Sequence, residues 1–532
     1  MTHADYEQSL ALKDKVLADK DKELLAAHNQ VLSLQDELKN QQAQLEFFKK
    51  QLFGPKSERH KVIDDRQLAL FELSKERERA SSTTEVEIAV HKRRSKKQRD
   101  GSEVTEKGLR FDADVPVKLI EHSCAELDGA QADQYEILRY EEVHHLASQP
   151  GSKVVLCHRY PVIKHRDSGE FIQPKAFEGV LGQSQVDVSA VADLLIEKFV
   201  YHAPLYRQHQ KLLDQGFKLS RSTLGNWVQA GIELLRPIAD ALKAQMREGD
   251  YLKLDETPIK AGRTKNASGK GKMKSGWLWP MLGEHGDIAF HYEPSRAKSV
   301  VVKLLDGFNG TLQTDGYDVY AKYTAEHDNI NHALCWSHTR RSFLKAEKQH
   351  PKEVEWLLQH VKVLYRIETE LRESSADTEE VLRLRQQRSR RCVDKIFRWI
   401  TQQIDRVELT PKDPLRKALH YAKDREAGLR VFLADAWVAL DTNDLERSLR
   451  VIPMGRKNWL FCTSEVGAEH VAIIQTLLAT CRAHGVHPYH YLVDVLQRVA
   501  IHPASDVLQL TPRQWQKRFA NQPIRSPLYS AH

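Results

Sequence analysis

Apolar residues recur every seventh position near the start of the chain: Leu10, Leu17, Leu24, Val31, Leu38, Leu45 and Leu52. A heptad repeat over one long helix predicts a coiled-coil seam. The companion seam begins with Lys13 and Lys20 and improves at Ala27, Leu34 and Phe48, so the pattern predicts a weak zipper rather than a rigid rod. Gly54-Pro55 ends the helix. Residues 1–55 are therefore read as a leucine-zipper-like coiled coil that joins protomers. The other reading is an amphipathic helix packed on its own core.

Residues 56–108 read as a basic linker. From Lys92 to Arg99, six of eight residues are Lys or Arg, including Lys92, Arg93, Arg94, Lys96 and Lys97. Such a run repels itself and stays extended, as a DNA-phosphate tether or a solvated linker. Residues 109–185 look β-like. Residues 186–248 read as helices, with Pro204 near the start of the second, a turn at Gly216 and Ser220 as N-cap of the third. That layout, with Arg221 opening the third helix, fits helix-turn-helix DNA reading and fits an ordinary bundle equally.

Residues 249–465 alternate strand and helix. Strands are predicted at 251–256, 275–282, 287–292, 311–316 and 330–335, with helices from Ser295 and from Ser337. Three strands, then helix, strand, helix, strand, helix is an α/β layout that resembles a ribonuclease-H-like core. A polar, basic helical insertion is predicted at about 349–437, and closing helices at 466–532. The fold expected is multidomain α/β plus α. Its mixed β-sheet core is preceded by a coiled coil and a helical DNA-binding region.

Composition narrows the class. The chain has 532 residues, 41% hydrophobic and 29% charged, with formal net charge +7. No apolar run approaches the roughly 20 residues needed to span a bilayer, and the N-terminus carries no secretory signature. Six scattered cysteines do not make a disulfide scaffold, which points to a reducing, cytosolic compartment.

The candidate chemistry lies in carboxylates. Asp255 ends an alternating strand, Y-L-K-L-D-E-T, with Lys253 and Asp255 on one face. Asp315 ends another, T-L-Q-T-D-G-Y, with Gly316 behind it to turn the backbone. Converging carboxylates repel unless a cation lies between them, and oxygen-only ligands favour Mg²⁺ or Mn²⁺ over zinc. Two such ions activate the attacking oxygen and stabilise the leaving oxygen in phosphodiester chemistry. Glu446, in N-D-L-E-R-S-L-R, is the candidate third ligand, with Arg450, Arg456 and Lys457 nearby for phosphates. The bland readings are a turn aspartate and a surface Glu–Arg pair. Between the first two strands, 260–274 holds six basic residues and no acid, among them Lys270, Lys272 and Lys274. It reads as a DNA-clamping hairpin tip or a solvated loop.

At these motifs the sequence resembles a bacterial DDE transposase of the insertion-sequence sixty-six family, over essentially the whole chain. The anchors are L-F-G-P-K-S-E-R (52–59), H-A-P-L-Y-R-Q (202–208), L-S-R-S-T-L-G-N-W (219–227), L-D-E-T-P (254–258), T-D-G-Y (314–317) and C-W-S-H-T-R-R (335–341). The most specific is E-R-S-L-R-V-I-P-M-G-R-K-N-W-L-F (446–461), and G-V-H-P-Y-H-Y-L (485–492) closes the set. The resemblance implies Asp255, Asp315 and Glu446 as the catalytic, metal-holding triad, 60 and 131 residues apart. Glu347 and Glu353 rank below Glu446. It further implies DNA as partner at element ends and target, phosphate contacts that include Arg340 and Arg341, a bacterial cytoplasmic location on the nucleoid, and helper proteins of the same element. Cys335 and His338 form a C-x-x-H pair that supports the active site in several such groups, or else a buried Cys and a helix-capping His. The family usually carries a CxxC…CxxC zinc segment. Only Cys124 and Cys157, beside His122 and His158, stand in that region, so zinc is expected to be unlikely there and the segment degenerate. The function expected is nicking of element ends and joining of 3′-hydroxyls to target DNA. The alternatives are a non-catalytic DNA-binding regulator and a nuclease without strand transfer.

Overall fold

The chain divides into two units, Met1–Ile88 and Ala89–His532. The computed structural model describes residues 109–529 except 114, 125, 129–131, 150, 175, 183, 264–271, 407 and 460–461. The heptad helix, the Lys92–Arg99 block and Lys270 lie outside the described residues.

After β1 (Arg110–Phe111) comes a four-stranded sheet of β2 (Val117–Glu121), β3 (Tyr135–Gln149), β4 (Ser152–His165) and β5 (Phe171–Ile172). β4 lies between parallel β2 and antiparallel β3. Helices α1 (Val188–Phe199) and α2 (Leu205–Asp214) follow, then β6 (Phe217–Lys218), which pairs with β1. Gly216 turns the chain at φ +86°. The Ser220 hydroxyl accepts the Thr223 N–H at 3.1 Å and caps α3 (Arg221–Arg247). α3 is 27 residues long and buries Leu224, Trp227, Val228, Ile232, Leu235 and Leu242 in the core, while Arg221 is exposed at its first turn.

The central sheet is built from β7 (Tyr251–Leu254), β8 (Thr257–Arg263), β9 (Met273–Gly283), β10 (Ile288–Glu293), β11 (Gly310–Thr314) and β12 (Ile330–Leu334). α4 (Lys298–Leu304) and α5 (Asp318–Thr324) connect its later strands, and α6 (Trp336–Leu344) follows β12. The order is β10-β9-β7-β11-β12, with β8 pairing β9. β7, β9 and β10 are antiparallel neighbours, whereas β11 runs parallel to β7 and β12 parallel to β11. Period-two alternation sorts the faces. Leu252, Leu254, Trp279, Met281 and Leu312 pack with Val301 and Leu304 of α4 and Tyr320 of α5. Lys253, Gln313, Leu278, Leu282 and Phe290 face the other way.

The opposite face has two covers. One is the helical insertion: α7 (Pro351–Glu373), α8 (Thr378–Leu384), a π-helical turn (Arg385–Ser389), α9 (Arg390–Ile404), α10 (Pro414–Lys423) and α11 (Glu426–Arg430). A strap, 431–442, then crosses the sheet to α12 (Asn443–Leu449) and α13 (Val451–Trp459). Polar pegs hold the strap. Gln313 Nε2 donates to Ala439 O at 2.6 Å, and Thr311 Oγ1 to Asp435 at 3.0 Å. Lys253, itself buried, donates to Asp441 O at 3.1 Å and to both Asp444 oxygens at 2.8 and 2.6 Å. The second cover is α14 (Glu465–Ala483), followed by α15 (Pro488–Arg498) and α16 (Pro512–Arg518). Edge strand β10 is closed by α14, because Thr476 and Thr480 hydroxyls accept the Phe290 and Ile288 N–H groups at 2.9 and 3.0 Å. Unpaired edge groups otherwise invite pairing with another chain. No helix among the described residues is long and apolar enough to cross a membrane.

Candidate active site

β7 ends at Leu254, two residues earlier than alternation predicts, so Asp255 and Glu256 both leave the regular pleat. Asp255 still donates its N–H to Pro280 O at 3.3 Å, which fixes it at the carboxyl end of the strand. Asp315 follows Thr314 at the same end of the neighbouring parallel strand, and its Oδ1 accepts the Tyr317 N–H at 2.9 Å. The Asp255, Glu256 and Asp315 carboxylates each offer an oxygen within 4.8 Å of the others.

Glu256 is the member that sequence reasoning missed. Its Oε1 accepts from Arg296 Nε at 2.8 Å and from a second Arg296 nitrogen, and its Oε2 accepts from the Tyr320 hydroxyl. The Arg296 guanidinium lies 3.8 Å from the Tyr317 ring centre and 4.9 Å from that of Trp277. Arg296 and Tyr320 thus hold the Glu256 carboxylate in place beside Asp255 and Asp315. Burial first, then the charges of Glu256 and Asp315, push the Asp255 carboxyl up to about 7, against the Glu256 N–H that Oδ1 accepts at 2.7 Å and, less, against His338. Burial also pushes Glu256 up, against the Tyr320 and Arg296 contacts.

The chain bends at Gly316 as expected, and the glycine has a second role. A Cβ there would stand 2.7 Å from Arg425 Nε and closer still to the Tyr421 hydroxyl. Arg425 also donates to Gly316 O at 2.8 Å. Glycine allows this close approach of the Asp315 loop to the insertion. Gly316→Ala is expected to cost about 1–3 kcal/mol through overpacking, which thermal unfolding measures.

Glu446 lies in the first turn of α12 and belongs to a neighbouring cluster. Arg341 NH2 donates to its Oε1 and Oε2, both at 2.6 Å, and His338 Nε2 is 3.7 Å from Oε1. Of the C-x-x-H pair, Cys335 is buried and its sulfur accepts the Thr442 N–H at 3.4 Å, tying α6 to the strap. The His338 Nδ1 atom is buried without a partner. Arg341, Asn443, Glu446, Arg447 and Arg450 line a cavity of about 320 Å³. Arg340, Arg450 and Lys457 are exposed. Arg456 bonds Pro258 O, and Lys274 pairs with Glu465 at 3.0 Å. Lys272 borders β9 at the basic tip. Glu353 is paired with Arg406 at 2.9 Å, and Glu347 is exposed beyond α6. In the N-terminal sheet, Cys124 donates to Glu126, while Glu142, His144 and Cys157 come within 4.8 Å of one another.

The family description "Transposase IS66 family" matches residues 183–470, which span the central sheet, both strand-end aspartates and Glu446. The chain belongs to the IS66 transposase family. The "IS66 C-terminal element" matches 476–513 of this IS66 chain, and "Transposase C of IS166 homeodomain" matches 40–117. Two uncharacterized proteins of Sinorhizobium fredii (strain NBRC 101917 / NGR234) are similar. y4hP is 31% identical over 356 residues, 62% of each chain. y4qI is 32% identical over 340 residues, 60% of this chain and 61% of its own. The IS66 chain thus spans about three fifths of the length of these relatives.

Proposed function

We propose that this protein is a DNA transposase that nicks the ends of an insertion sequence and joins the freed 3′-hydroxyls to target DNA. The observation that carries the reading is the oxygen-only group of Asp255, Glu256 and Asp315 at the carboxyl ends of adjacent parallel strands. The sheet order supports a ribonuclease-H-like core: an antiparallel trio, then two parallel strands on the far side of the first. Crevices at the carboxyl ends of such strands are where ligands bind.

Donor chemistry fits a hard divalent cation, Mg²⁺ or Mn²⁺, with Asp255 and Asp315 as the residues that hold it and Glu446 as the third. When bound, such ions activate the attacking oxygen and stabilise the leaving one. The protein's own part is positional. Asp255 Oδ1 accepts the Glu256 N–H at 2.7 Å, which sets its orientation, while Arg296 and Tyr320 fix the Glu256 side chain. Lys253 fixes Asp444 and with it the helix that carries Glu446. Arg447 and Arg450 offer guanidinium forks to phosphate oxygens. The heptad helix is proposed to pair protomers, so that two DNA ends meet. Helper proteins of the same element remain part of this proposal.

The test uses labelled DNA from the element's ends, with target DNA and Mg²⁺. Joined products are expected. Nicked ends without joining favour the nuclease reading. Specific binding with no cleavage, retained when all three carboxylates are replaced, favours a DNA-binding regulator.

A further inference from the structure

We propose that Arg341 is a hand-over residue: it clasps Glu446 in the DNA-free protein and yields it when a DNA phosphate enters the arginine-lined cavity. The inference rests on the proposed active site and adds the step that completes it.

The geometry separates two groups of acids. Asp255, Glu256 and Asp315 face one another, whereas both oxygens of Glu446 are taken by one nitrogen of Arg341 at 2.6 Å. His338 lies beside Glu446, its Nε2 atom 3.7 Å from Oε1. The helix that carries Glu446 is itself fixed, because Asp444 is anchored on Lys253 in the sheet. The movement proposed is that of the Glu446 side chain.

The clasp is built to be exchanged. The Arg341 side chain is 44% exposed and that of Glu446 27%, and ion pairs this open to water are among the weakest. The cavity beside it is lined by Arg341, Arg447 and Arg450, with Asn443 and a single acid, Glu446. A phosphate entering there meets three guanidinium groups, each able to bind it through two hydrogen bonds. The phosphate takes Arg341, and its charge repels Glu446 toward the cation-binding carboxylates. Both effects act in the same direction. The cation site is therefore complete only when substrate is in place.

Mn²⁺ affinity, measured by calorimetry on the full chain, tests this. Without DNA, Arg341→Gln is expected to bind Mn²⁺ about five-fold more tightly than the wild type, the release of one weak ion pair. The gain is expected to vanish in Arg341→Gln with Glu446→Gln. Arg406→Gln, which removes a charge and the Glu353 pair but no clasp on Glu446, is expected to leave affinity near wild type. An oligonucleotide from the element's end tightens Mn²⁺ binding in the wild type and adds little in Arg341→Gln. Arg341→Lys, which keeps the charge but loses the fork, falls between, and it serves if Arg341→Gln folds poorly. Unchanged or weaker affinity in Arg341→Gln overturns the hand-over, as does a gain that persists in the double variant. Asp255→Asn separates the two levels. If it binds Mn²⁺ like the wild type, the active-site reading itself falls. If it loses Mn²⁺ while Arg341→Gln gains nothing, only the hand-over does.

Discussion

Asp255→Asn is expected to lower metal-dependent strand cleavage by roughly 10³-fold or more, the loss of several kcal/mol of transition-state stabilisation supplied through the bound cation. Labelled-strand cleavage in Mg²⁺ and in Mn²⁺ checks this. The same variant is expected to make the metal-free protein more stable at pH 8. Asp255 has a folded-state value of about 7, against about 3.9 for an unfolded chain. Between those values the folded protein holds the proton and the unfolded chain does not. Stability from this group is thus present below about pH 4 and is lost as pH rises to about 7. The full loss, a few kcal/mol at most, applies above that. In the presence of chelator, the wild type should lose thermal stability between pH 5 and pH 8, and Asp255→Asn should lose less. Mn²⁺ at pH 8 should restore the wild type alone. A wild-type curve that rises with pH across this window would overturn the account of Asp255. Tension of this kind is what a site poised for a cation stores, since burial and two neighbouring acids disfavour the charged form.

Much of this arrangement was legible in the sequence. Alternation in Y-L-K-L-D placed Leu252 and Leu254 on one face, and both pack against α4 and α5. The T-L-Q-T-D run put Asp315 at a strand end, where it stands one residue past β11. Ser220 was readable as a cap because a hydroxyl just before a helical run satisfies a first-turn N–H. Other features were hidden for physical reasons. β8 contains Pro258 and Gly262, residues that usually interrupt strands, and Pro258 is tolerated because it lies on the outer edge of the hairpin. Glu256 drew no reading, because alternation over 251–256 sets it on the face of Leu252 and Leu254, whereas the strand ends at Leu254. Lys253, Gln313 and Arg385 are of residue types usually exposed, yet they are buried. Their partners are carbonyls and acids over a hundred positions away for two of them, which no local pattern reveals. The helical insertion was legible as a block, whereas the strap that fastens it to the sheet was not.

Arg385→Met is expected to destabilise the insertion by about 3–5 kcal/mol, the usual cost of removing one partner of a buried ion pair. Arg385 sits at the start of the π-helical turn, with 4% of its side chain exposed. The wider turn is the kind of local irregularity that redirects side chains at special sites. Arg385 donates to Glu368 at 2.9 and 2.7 Å and to the carbonyls of Phe432, Asp435 and Ala436 at 2.9, 2.9 and 3.3 Å. Methionine fills part of the volume but leaves the Glu368 carboxylate and three strap carbonyls unpaired. Adding Glu368→Leu should recover much of the loss, because the orphaned charge dominates it. Urea unfolding of the single and double variants measures this difference. The functional consequence follows from the path of the chain. Residues 432–436 lead through Asp441 and Asp444 into α12, so a loosened strap displaces Glu446 while Asp255 and Asp315 keep their places on the sheet. Arg385→Met should therefore retain Mn²⁺ binding at the two aspartates and lose most strand cleavage. Equal loss of both would mean that the sheet itself depends on the insertion, and that the strap does not act on Glu446 alone.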